Sequence, residues 1–238
     1  VTTPDLQAGR RFTYSYEATT ESVGEVEYEQ WITWKTNKDN DSSFDRFDFR
    51  HEIEMGITEN FQLAVYLSDW RYEDGKSVSK DRAKWRNVAV EGIYNLVNPR
   101  TEPFGLAIYG EAKGGDEILA LEGKVILQKN AGPWMFVWNG TFEAEWEGTE
   151  FADDKGEFAQ SVGVSRQLND HLIVGAELVQ EAEYSDWERF KNHVVYIGPT
   201  VSVKGSHDWW VTITQLFQVT NDNSESNFQT RLIFGVEF

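Results

Sequence analysis

Apolar and polar residues alternate singly along most of this chain, and the runs are longer than the strands of an ordinary soluble domain. From Trp134 to Trp146, one face takes Trp134, Phe136, Trp138, Gly140, Phe142, Ala144 and Trp146. The other takes Met135, Val137, Asn139, Thr141, Glu143 and Glu145. The last thirteen residues repeat the pattern, with Phe228, Thr230, Leu232, Phe234, Val236 and Phe238 opposed to Gln229, Arg231, Ile233, Gly235 and Glu237. Further segments of this kind cover 25–36, 44–57, 61–72, 83–95, 104–113, 117–129, 157–168, 171–183, 191–204 and 208–220. The period predicts twelve strands, no helix and an all-β fold. Residues 10–20 carry a shorter alternation (Phe12, Tyr14 and Tyr16 against Thr13, Ser15 and Glu17) that predicts an extra strand or a segment apart from the sheet.

The connections add a topology. Tight turns at 58–60, 130–133 and 169–170 alternate with longer polar loops at 37–43, 73–82, 147–156, 184–190 and 221–226, as in an up-and-down antiparallel meander. The connection 95–103 is long and 114–116 short, against that order. A soluble barrel or sandwich would gather its aromatics at mid-strand, where burial is deepest. Here they stand at strand ends on the apolar face: Trp34, Phe61, Tyr94, Phe104, Trp134, Trp146, Trp209, Phe228 and Phe238. Twelve residues tilted by roughly 40° rise about 30 Å, the height of an outer-membrane apolar band with its aromatic girdles. The pattern therefore favours a barrel with its apolar face to lipid and its polar face to the lumen; a soluble β-barrel or sandwich acting as a binding module is the competing reading.

A final alternating strand that ends in Phe (Leu232, Phe234, Val236, Phe238) resembles the assembly signal of Gram-negative outer-membrane β-barrels. The resemblance is to the class, not to one family. It implies export to the periplasm, insertion by the barrel-assembly machinery through that strand, and outer-membrane lipid as surroundings. The chain opens on Val-Thr-Thr-Pro-Asp, with neither a basic nor an apolar leader, so a signal peptide is expected to have been cleaved. Counting back from a periplasmic C-terminus gives a barrel over 23–238 and leaves 1–22 as a periplasmic tail, a lumen plug or an extra strand.

In this barrel the inward face is acidic. Glu25, Glu27, Glu29, Asp48, Glu52, Glu54, Glu91, Glu111, Glu122, Glu143, Glu145, Glu177, Glu181, Glu183 and Glu237 face Lys35, Arg50, Lys113, Lys124, Lys204 and Arg231. The stack Glu25, Glu27 and Glu29, with Asp48, Glu52 and Glu54 from the next strand, is expected to set a field that attracts small cations. With 40 Asp+Glu against 22 Lys+Arg, nucleic acid is excluded as a partner, and without cysteine there is no disulfide or thiolate chemistry. No cofactor or metal is expected. The loop Asp39–Asp45 spaces acids as a calcium loop does, but Phe44 replaces the required Gly and Arg50 the closing Glu. No catalytic set is expected either: His51 and His193 share phase with lipid-facing residues, His171 and His207 lie at turns, and Glu143 with Glu145 are two acids among many. Three functions stay open for the barrel: a small cation-preferring channel, a non-conducting structural or partner-docking barrel, and, least favoured, an enzyme at its outer rim.

Overall fold

A computed structural model describes residues 9–76, 78, 82–205 and 208–238. His207, expected at a turn, lies outside the described residues. The strands are β1 (Val26–Lys38), β2 (Asp41–Thr58), β3 (Phe61–Asp74), β4 (Ala83–Trp85), β5 (Asn87–Val97), β6 (Gly105–Gly115), β7 (Ile118–Ala131), β8 (Trp134–Glu147), β9 (Asp153–Gln167), β10 (Leu172–Ser185), β11 (Arg189–Lys204), β12 (Trp209–Gln218) and β13 (Ser226–Glu237). Each pairs antiparallel with its neighbour in sequence, and β1 pairs with both β2 and β13, from Glu27↔Glu237 to Lys38↔Ser226. The sheet is thus closed. β4 and β5 both pair with β3 and form one barrel strand interrupted at Arg86, whose N–H instead reaches the Asp69 carbonyl at 2.7 Å. The architecture is a closed antiparallel barrel of twelve strands.

Burial is inverted relative to a soluble protein. Along β5, Asn87, Ala89, Glu91, Ile93 and Asn95 are buried while Val88, Val90, Tyr94 and Leu96 are exposed. Elsewhere Glu27, Glu29, Glu52 and Glu177 are buried, and Ile108, Val125, Phe142, Val162 and Ile213 are exposed. Only lipid makes such an exterior favourable, because a belt of this area in water forfeits its hydrophobic transfer energy. Trp134, Trp209 and Phe238 stand exposed at the short-turn rim beside Phe61, Tyr94 and Phe104. Trp34, stacked on Phe47, and Phe228 and Trp146 hold the other end. Both ends of the barrel sheet meet at the turn rim, where the Phe238 N–H bonds the Val26 carbonyl at 2.9 Å.

Residues 9–25 form no strand. They run through the lumen.

Candidate functional site

An extended segment inside a tube has no neighbouring strand, so its backbone groups need partners from the wall's side chains. The wall supplies them. Glu177 accepts the N–H groups of Thr13, Tyr14 and Ser15 at 2.8, 2.9 and 2.8 Å, and the Thr214 hydroxyl at 2.7 Å. Asn139 takes the Tyr16 N–H at 2.6 Å and donates to its carbonyl at 3.0 Å, imitating one rung of a sheet. The Gln128 and Gln62 side-chain carbonyls accept the N–H groups of Ala18 and Glu21 at 2.7 and 2.9 Å, and the Asn95 amide donates to the Ala18 carbonyl. Arg231 donates to the Thr13 carbonyl at 3.1 Å. Ser202 and Thr212 donate to the Arg10 carbonyl, and Arg11 reaches Gln167 at 3.2 Å. With Tyr16 edge-on to Tyr109, 5.0 Å between ring centres, and Arg10 on Glu29 and Glu54, every one of the twelve barrel strands touches the segment.

Packing seats it as well. Tyr16 and Ala18 join a buried cluster with Trp31, Ile93, Tyr109, Ile126, Trp210 and Ile233, and Phe12 packs on Met135 and Val137. Two glycines make room. A Cβ on Gly163 would stand 2.7 Å from the Phe12 ring, and one on Gly9, at φ +84°, only 2.4 Å from the Trp210 indole. Lumen aromatics such as Trp31, Tyr66, Tyr109, Tyr196 and Trp210 are a functional layer that attention to the girdle passes over. Phase identifies Trp31, Tyr109 and Trp210, which stand two residues from the inward Glu29, Glu111 and Thr212.

The anticipated acidic cluster divides. Glu27, Glu29, Glu52 and Glu54 meet in the turn-side half, all buried. Arg10 enters among them: its guanidinium bonds Glu29 at 2.8 Å and Glu54 at 2.5 Å, reaches Glu52 at 3.9 Å, and lies over the Tyr16 and Trp31 rings. Trp31 donates to Glu29 at 2.6 Å, Trp210 to Glu27 at 2.7 Å and Gln62 to Glu54 at 2.6 Å. Glu25 does not extend the stack. It sits before β1, in the turn where the segment leaves the lumen, and accepts the Ser22 N–H at 3.2 Å, because the chain reverses there instead of continuing the strand. Glu21, half-buried at this mouth, is pushed up to about 8, chiefly by burial and then by Glu54, Glu237 and Glu25. Glu91 lies at mid-lumen under the Tyr66 hydroxyl.

The loop-side half is of mixed charge. Asp48 pairs with Arg46 and Arg71 at 2.7 and 2.8 Å, and Arg50 with Asp69 at 3.0 Å. Lys113 joins Glu111, Glu122 and Glu143 at 3.4, 3.5 and 2.5 Å; Lys124 bonds Glu122 at 3.0 Å. Glu145 faces Lys155 at 3.3 Å. Arg231 rests on the Tyr14 ring, 3.9 Å from its centre. Arg46, Arg71, Arg86 and Lys155 are not among the inward bases expected from the sequence, so this half carries more positive charge than its strand pattern suggests. Arg71 and Asp69 face inward because a bulge between His51 and Glu52 of β2 skips Leu67 and resets the phase of β3. Between the segment and the loop rim, a cavity of about 340 Å³ is lined by Tyr14, Arg50, Asp69, Glu111, Lys124 and Arg231 among others. The Asp39–Asp45 stretch is the tight β1–β2 turn and the start of β2, where Asp41 accepts the Ser43 and Lys76 N–H groups. His51, on the outer face, bonds the Tyr28 hydroxyl at 2.9 Å, and His171 lies at the turn rim against the Lys204 carbonyl. His193 is exposed on the outer side.

Comparison with known proteins places this geometry. The NanC porin superposes with a TM-score of 0.59 at 8% identity, over 90% of this chain and 98% of that one. The KdgM porin in complex with disordered oligogalacturonate gives 0.53 at 10%, over 90% and 98%. The translocator domain of the autotransporter NalP from Neisseria meningitidis gives 0.55 at 10%, over 92% and 89%. At such identity the likeness is one of fold: a bacterial outer-membrane β-barrel, built like the small porins. No curated protein matches. Residues 6–232 match the profile of a family described as being of unknown function, DUF6662.

Proposed function

This chain belongs to that family of unknown function, DUF6662, and we propose that it is a small diffusion channel of the outer membrane, closed at rest by its own N-terminal segment and cation-preferring when open. The observation that carries the reading is the independence of wall and segment. The twelve-strand ladder closes on itself without residues 9–25, whereas the segment is held by side chains, not by a strand's continuous ladder. A removable part inside a complete wall suits a gate.

Selectivity in this reading belongs to the turn-side carboxylates. When Arg10 leaves with its segment, Glu27, Glu29, Glu52 and Glu54 face the water path without their guanidinium. Unit charges about 5 Å apart at an effective dielectric near 20 interact by roughly 3 kcal/mol, enough to favour cation entry at low salt. The mixed loop-side half adds little net field. The extent of the segment's bonding favours a second reading, a permanently closed barrel with a structural or docking role. Neither reading invokes catalysis. The strand β13, which closes the ring, is in this account the one engaged by the assembly machinery.

Single-channel recording across a salt gradient tests both. The channel reading expects openings whose reversal potential reports cations, and a shift toward neutrality in the triple variant Glu29→Gln, Glu52→Gln, Glu54→Gln. Silence under all voltages would leave the closed barrel, and anion selectivity would overturn the role of these carboxylates.

A further inference from the structure

Three carboxylates share one buried nest with one cation, and one of them is left over. β1 supplies Glu29; β2 supplies Glu52 directly opposite it and Glu54 two residues on. Oxygens of the three lie within 4.8 Å of one another, and all three residues are buried. Glu29 is satisfied by Arg10 and Trp31, Glu54 by Arg10 and Gln62. Glu52 is fully buried, yet neither of its oxygens accepts a hydrogen bond, and the nearest Arg10 nitrogen stands 3.9 Å off. A buried carboxylate held only by a 3.9 Å ion pair and by its neighbour Glu54 is costly, and either a proton shared with Glu54 or a further positive charge relieves it.

We propose that Glu29, Glu52 and Glu54 form a divalent-cation site for which Arg10 is the occupant in the plugged state. The donors are carboxylate oxygens alone, from two strands, with no nitrogen or sulfur. That set suits a hard cation, and the irregular spacing suits Ca²⁺ better than Mg²⁺, which demands a near-ideal octahedron. Two positive charges brought beside the guanidinium repel it, and Glu29 and Glu54 cannot serve both at once. Binding is therefore competitive. A cation that takes the nest releases Arg10 and with it the anchor of the segment, and by linkage a seated segment weakens the cation to the same degree. Bound Ca²⁺ thus acts as the opening ligand of the gate. This consequence rests on the gated-channel reading; the site itself does not.

The full-length chain, folded in detergent micelles, permits a direct test. Trp31 donates to Glu29, so an ion in the nest sits beside an indole that can sensitise terbium luminescence. The chain has no cysteine, so the substitution Ser15→Cys, at a buried position in the segment, reports release through the rate at which its thiol reacts with a water-soluble reagent. We expect saturable terbium luminescence that Ca²⁺ displaces, weakened about tenfold or more in Glu52→Gln and tightened about tenfold in Arg10→Gln. Ca²⁺ at the concentration that saturates the unaltered nest should speed thiol labelling of the Ser15→Cys chain by about tenfold, and adding Glu52→Gln should move the midpoint of that effect to about tenfold higher Ca²⁺ or beyond. Heat-modifiable mobility on a gel checks that each variant is folded; should Glu52→Gln not insert, Arg10→Gln carries the test. Terbium signal indifferent to Glu52→Gln, no tightening in Arg10→Gln, or Ca²⁺ binding without faster labelling would each overturn the proposal. Binding and release without ionic current would instead reject the channel reading and leave the site standing.

Discussion

The barrel wall holds the N-terminal segment mainly through a few side chains that imitate a strand edge, and Glu177 carries the largest share. It closes three backbone N–H groups and the Thr214 hydroxyl, so Glu177→Ala would strand several buried donors at once. Each hydrogen bond to a charged group is worth about 1.5–3 kcal/mol. The segment's seating should weaken by at least about 3 kcal/mol, seen as faster thiol labelling in the Ser15→Cys background while the barrel keeps its far-ultraviolet circular dichroism. Glu21 sets a pH dependence. Seated, it holds its proton up to about 8 because burial and the acids around it disfavour charge; released, it titrates in the ordinary carboxylate range. Between those values the seated state binds the extra proton, so seating is strongest below the ordinary range, falls as pH rises toward about 8, and is flat above. The fraction of segment released, taken from labelling of the Ser15→Cys chain after correction for the thiol's own ionisation, should rise across that window, and Glu21→Gln should flatten it.

Among the elements, the strands were the most legible part of the sequence. A period of two with aromatics at its ends specifies both the strand and the face that meets lipid, so Trp134–Glu147 and Ser226–Glu237 were readable almost residue by residue. Phase was lost where the backbone itself departs from the ladder. The bulge at Leu67 turns Asp69 and Arg71 inward, and the break at Arg86 splits one strand into β4 and β5; both depend on hydrogen bonds that no local pattern announces. The alternation at 10–20 fits an extra strand or a segment apart from the sheet; a segment inside a tube is enclosed on all sides, and Phe12, Thr13, Ser15 and Tyr16 are all buried. Alternation puts Glu27 and Glu29 on one face of β1 and Glu52 and Glu54 on one face of β2, whereas no strand pattern points to their partner Arg10, which belongs to no strand. Face assignment can be checked on β7. Val125, exposed at mid-strand, should cost about 2–4 kcal/mol when replaced by Arg, whereas the same exchange at Phe190, exposed at the loop end of β11, should cost no more than about 1 kcal/mol. Urea unfolding in lipid vesicles measures the difference.

At the scale of the whole molecule, a complete twelve-strand wall encloses a segment that touches every strand, with acids gathered toward the turns and mixed charge toward the loops. By the rule that short turns are periplasmic, the carboxylate nest and the exit of the segment lie on the periplasmic side, and the cavity of about 340 Å³ opens toward the cell exterior. The gated-channel reading stands or falls on whether this wall conducts once the segment is out. Planar-bilayer conductance of the full chain, compared with a chain lacking residues 1–22, tests it most directly. The shortened barrel should fold, because its ladder is closed without the segment, and should show steady, cation-preferring openings where the full chain is closed or flickers. Equal conductance in the two, or a folded shortened barrel that passes no current, would contradict it.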